Sequence, residues 1–82
     1  MKYYPVNLDI RNRKCLVVGG GAVGTRKVMT LLDCGAKVTV VSTDVAEKLQ
    51  ELSDSDIIKL EKRPFQISDL DEMFLVIGAT DN

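Results

Sequence analysis

The spacing of apolar positions changes several times along this chain, and each change marks an element. Val6, Leu8 and Ile10 alternate with Asn7, Asp9 and Arg11 behind Tyr3, Tyr4 and Pro5. That period of two predicts a short extended piece, either an edge strand or a pinned arm. Residues 14–18 then form an apolar run that suits a strand covered on both faces of a parallel sheet. From residue 22 to 34 the spacing turns helical: Gly24, Val28, Leu31 and Gly35 recur with Leu32 beside them, while Arg26, Lys27, Thr30 and Asp33 fall elsewhere. Gly35 stands where a helix ends, and residues 37–41, rich in β-branched side chains, predict a second strand.

Asp44 with Glu47 three residues on has the form of a capping box, which predicts a second helix over residues 45–52. Residues 53–56 are a loop by composition. Ile58 and Leu60 alternate with Lys59 and Glu61, predicting a half-exposed third strand closed by Pro64. Ser68 with Asp71 caps a short turn or helix through Met73, and residues 74–79, apolar throughout, predict a fourth and central strand. This order predicts an α/β domain, a parallel sheet with right-handed crossovers and strand order 3-2-1-4, with a ligand crevice between strands one and four. The chain stops straight after that strand, so residues 1–82 read as the N-terminal fragment of a longer doubly wound sheet.

Composition narrows the function classes. With 45% hydrophobic and 28% charged residues the chain has the balance of a folded globular domain, and at this length only about 60% of the unfolded surface can be buried. A net charge of −1 gives no reason to expect nucleic acid or an anionic membrane as partner. No apolar run approaches the ~20 residues of a membrane span, and the first residues lack the apolar segment of a signal peptide, so a cytoplasmic location is expected. Cys15 and Cys34 form no CxxC and the chain has no histidine, so no metal site is expected; both cysteines are expected to be reduced, buried and small.

The chemistry lies in Gly19-x-Gly21-x-x-Gly24, between the first strand and the first helix. Gly19 allows the sharp exit from the strand. Gly21 leaves the helix N–H groups open to a pyrophosphate, and Gly24 lets the helix lie close on the sheet. A tight turn without a ligand is the plainer alternative. The acidic residue that commonly binds the adenosine ribose, ~20 positions on, is replaced by Ser42. Ser42, Thr43 and Asp44 can still offer partners to a ribose, and Asp44, with no adjacent Arg or Lys, would repel a 2′-phosphate, which favours NAD over NADP. Asp44 is equally readable as a helix cap without ligand contact. Ala79 and Thr80 end the fourth strand where the crevice would place contacts. Arg26 and Lys27 suit carboxylates or phosphate, or simply a solvated helix face.

Several segments together resemble one family. Residues 5–10, the Leu16-Val17-Val18-Gly19-Gly20-Gly21-x-Val23 run, Arg26-Lys27, residues 35–41, Arg63-Pro64-Phe65 and residues 75–82 resemble the NAD-binding N-terminal domain of the siroheme synthase family, precorrin-2 dehydrogenase/sirohydrochlorin ferrochelatase. The likeness covers nearly the whole chain, with Gly24 where the family often has alanine. It implies a Rossmann-like fold, nucleotide contacts through the backbone of Ala22 and Val23, and hydride transfer from the tetrapyrrole precorrin-2 to NAD⁺, giving sirohydrochlorin. Iron insertion into sirohydrochlorin and a homodimer in the full-length protein are implied as well. The family's aspartate implicated in both steps lies beyond Asn82, so no catalytic residue is assigned. The competing reading is a regulatory module that senses NAD(H) or another adenine nucleotide without chemistry.

Overall fold

A computed structural model describes residues 8–79. The elements run β1 (Lys14–Gly20), α1 (Ala22–Asp33), β2 (Lys37–Val45), α2 (Glu47–Asp54), β3 (Lys59–Glu61), a 3-10 turn (Ile67–Leu70) and β4 (Leu75–Gly78). All strand pairs are parallel, in the order β3-β2-β1-β4, the expected 3-2-1-4. Alternation along each strand separates two faces. Cys15 and Val17, Val38 and Val40, Ile58, Leu75 and Ile77 look toward α1 and α2, where Val28, Leu31, Leu49 and Leu52 complete the core. On the opposite face Leu16 and Val41 are also buried, and a right-handed connection carries the chain there from β3 back to β4.

Helix α1 buries Gly24, Val28 and Leu31, the stripe read from spacing. It stops in a Schellman arrangement: the Gly35 N–H donates to the Leu32 carbonyl at 2.9 Å and the Ala36 N–H to that of Leu31 at 3.1 Å, with Gly35 at φ 81. Helix α2 ends in the same way, Asp56 N–H to Ser53 and Ile57 N–H to Leu52, but a non-glycine residue, Asp56, takes the left-handed position at φ 60.

Of the two readings of the first segment, the pinned arm holds: Leu8–Ile10 form no strand and Ile10 buries its side chain in the core, while Val6 and Asn7 lie outside the described residues. Four sequence expectations are corrected. Cys34 is exposed, because it caps α1 rather than continuing its inner stripe, whereas Cys15 is buried, which pushes its thiol pKa up. Asp44 caps no helix: β2 continues to Val45 and Ala46 is the N-cap of α2. The cause is a register shift between Val18 and Gly20, which pairs Gly20 with Val45 and keeps residues 42–44 in the strand. The short turn begins at Gln66 rather than Ser68, since the Asp69 carboxylate accepts the Gln66 N–H at 2.8 Å. Finally, β4 is not central among the described residues: it pairs with β1 alone and leaves Val76 42% exposed.

Candidate functional site

The carboxyl ends of β1 and β2 and the start of α1 meet around the three glycines. Gly19 turns the chain at φ 120, a conformation side chains disfavour. Gly20, to which the sequence pattern assigns no role, makes the tightest contact with β2. A Cβ there would lie 2.6 Å from the Asp44 carbonyl and 3.2 Å from the Ser42 hydroxyl. The Ala46 N–H donates to the Gly20 carbonyl at 2.8 Å, so the turn is bolted to the end of β2. The only hint of this in the sequence is that three glycines stand in a row.

Gly24 performs the packing expected of it. A Cβ on it would fall 2.0 Å from the Gly19 carbonyl oxygen and 3.8 Å from the Ala79 Cβ. Ala79 is buried at 3% exposure, and its N–H donates to the Val18 carbonyl at 2.8 Å. The end of β4 therefore lies against the turn, as the crevice between strands one and four requires. Thr80 lies outside the described residues.

Gly21 is the N-cap of α1, and having no side chain it caps nothing. The first intrahelical bond closes at Thr25, whose N–H reaches the Gly21 carbonyl at 2.9 Å while its hydroxyl donates to the same oxygen at 2.8 Å. The N–H groups of Ala22, Val23 and Gly24 precede that bond and have no intrahelical acceptor. No acidic side chain stands in the first turn to neutralise them. A twelve-residue helix thus presents open donors and the positive end of its dipole beside a cradle of glycines, an arrangement suited to a phosphate.

At the end of β2 the Ser42 hydroxyl donates to the Asp44 carbonyl at 2.7 Å and retains its capacity to accept. Thr43 and Asp44 are exposed. The structure thus brings Gly19, Gly21, Ala22, Val23, Ser42, Thr43, Asp44 and Ala79 to one end of the sheet. Arg26 and Lys27 line, with Val23 and Thr30, a shallow cavity of about 220 Å³ along α1. Among the described residues no cluster of side chains could hold a metal ion, and no helix is long and apolar enough to cross a membrane.

A glycine turn between a parallel strand and an uncapped helix, with the neighbouring strand ends gathered around it, defines a dinucleotide-binding α/β domain. The chain belongs to the family described as putative NAD(P)-binding, which it matches over residues 6–82. Siroheme synthases are similar to it along its whole length. That of Nitrosococcus oceani is 43% identical over 82 residues, which are 100% of this chain and 18% of the relative. That of Thioalkalivibrio sulfidiphilus is 44% identical over 82 residues, 100% of this chain and 17% of the relative. The solved structure titled SirC, precorrin-2 dehydrogenase, matches with a TM-score of 0.89 at 32% identity, covering 98% of this chain and 40% of that one. The chain spans less than a fifth of the length of these siroheme synthases.

Proposed function

We propose that this chain is the NAD-binding part of a precorrin-2 dehydrogenase, which oxidises precorrin-2 to sirohydrochlorin in siroheme biosynthesis. The observation that carries the reading is the uncapped start of α1, set behind glycines at positions 20 and 24 that leave no room for a side chain. The names of the relatives supply the reaction. Bound NAD⁺ would supply the hydride acceptor. The residues of this chain bind and orient it: the N–H groups of Ala22, Val23 and Gly24 hold the pyrophosphate, and Gly19 and Gly21 keep its approach open. Ser42, Thr43 and Asp44 serve the adenosine ribose, and Ala79 borders the crevice. Asp44 stands exposed at the end of β2 and disfavours a 2′-phosphate, so NAD is the preferred cofactor. The tetrapyrrole cleft, the catalytic group and a homodimeric assembly belong to the intact cytoplasmic protein. A purely sensing role is less well supported, because the similar proteins named here are biosynthetic enzymes.

Calorimetric titration with NAD⁺ and with NADP⁺ tests the cofactor assignment. Saturable binding that prefers NAD⁺ and weakens at least tenfold in Gly21→Val is expected; equal binding in that variant, or none by a folded sample of the native chain, contradicts it. Conversion of precorrin-2 to sirohydrochlorin by the intact protein, absent without NAD⁺, tests the reaction.

A further inference from the structure

Strands β1, β2 and β3 each begin with a lysine: Lys14, Lys37 and Lys59. The register sets Lys14 opposite Lys37, and Lys59 opposite Thr39, two residues along β2. Alternation then puts all three lysines and Thr39 on the sheet face turned away from α1 and α2. They line an open cavity of about 480 Å³ at the amino ends of the strands. This is the opposite end of β1 from the glycine turn, roughly 20 Å away at ~3.3 Å per residue.

Like charges directly across a strand pair are destabilising, and the fold answers this one weakly. The Lys14 Nζ lies 3.4 Å from a Glu72 carboxylate oxygen, with both side chains largely in solvent. Such a pair contributes little. Among the described residues Lys37 and Lys59 take part in no ion pair. Glu72 is held against its preference: it sits at φ 64 as the third residue of a turn closed by the Met73 N–H on the Leu70 carbonyl at 3.2 Å. Asp71 before it has φ −60 and ψ 129, which makes this a type II turn, where that position favours glycine. A strained side chain thus serves as partial counter-ion to the row.

Asp56 and Asp71 also border the cavity, from the loops on either side. A single negative charge would therefore meet as many carboxylates as lysines. An anion with several charged groups, spaced to span strands ~4.8 Å apart, can engage the row as a unit. We propose that this cavity binds a small multivalent anion, a polycarboxylate or a phosphate ester, on Lys14, Lys37 and Lys59, with Glu72 as the internal competitor that it displaces.

The test is calorimetric titration of the full chain with citrate and, separately, with inorganic pyrophosphate, at about 0.15 M ionic strength and with excess NAD⁺ present to occupy the glycine turn. Saturable binding of one of them is expected, weakened at least fivefold by Lys37→Gln and by Lys59→Gln and strengthened by Glu72→Gly. The preferred probe distinguishes carboxylate from phosphate chemistry. Circular dichroism confirms that each variant is folded. No binding of either probe, or binding indifferent to both lysine substitutions, overturns the proposal. If NAD⁺ itself does not bind, lysine-dependent binding of citrate still supports it, so the two readings fail separately.

Discussion

The two ends of this sheet handle negative charge by opposite means. At the carboxyl end the backbone does the work: Gly21 caps nothing, and added side chains at Gly20 and Gly24 would collide with main-chain oxygens. At the amino end side chains do it, through three lysines that the register aligns on one face. The first arrangement depends on what is missing within a few consecutive residues. The second depends on which residues stand next to each other across strands far apart in sequence.

The largest expected effect strikes the carboxyl end. Gly24→Val would set a branched side chain 2.0 Å from a main-chain oxygen that cannot swing aside, costing about 3 kcal/mol of stability in urea unfolding.

A pH effect on the connection that leads to Glu72 comes next. The Arg63 guanidinium holds Asp69 with two hydrogen bonds, at 2.9 and 2.5 Å, and the Gln66 N–H adds a third, lowering the Asp69 pKa from 3.8 to about 2. The folded-state value lies below the unfolded one, so this stabilisation is fully present above pH ~4 and is lost as pH falls through about 2. The stability difference between the native chain and Asp69→Asn should therefore be flat near neutrality and shrink between pH 4 and pH 2. A difference that persists unchanged at pH 2 would detach the pair from the fold's acid response.

The smallest effect compares the two helix ends. Both close in the same hydrogen-bonded motif, with Gly35 at φ 81 in one and Asp56 at φ 60 in the other. Asp56→Gly should relieve the left-handed strain and add about 0.5–1 kcal/mol of stability, measured in the same urea series. It also removes a carboxylate from the rim of the lysine cavity.

What the sequence revealed follows the same division. Helix α1, its inner stripe and its end at Gly35 were legible because spacing and capping are local. The strand order followed from alternating elements and the handedness of crossovers. The start of α2 was misplaced because a long-range pairing, Gly20 with Val45, holds Asp44 in a strand that its local cap pattern would end. The 3-10 turn was misplaced because Asp69, fixed by Arg63, secures the Gln66 N–H, and neither residue is marked by local spacing. Of the site, the GxGxxG spacing identified the turn, while Gly20's contact with Asp44 and the lysine row depend on register.

The central claim is that the open N–H groups of α1 hold the dinucleotide's pyrophosphate, and NMR titration of the ¹⁵N-labelled chain with NAD⁺ tests it most directly. The account predicts saturable shifts concentrated at the amides of Gly21, Ala22, Val23 and Gly24, extending to Ser42 and Ala79, with Lys14, Lys37 and Lys59 unmoved. Shifts centred elsewhere while the amides of the glycine turn stay still would contradict it.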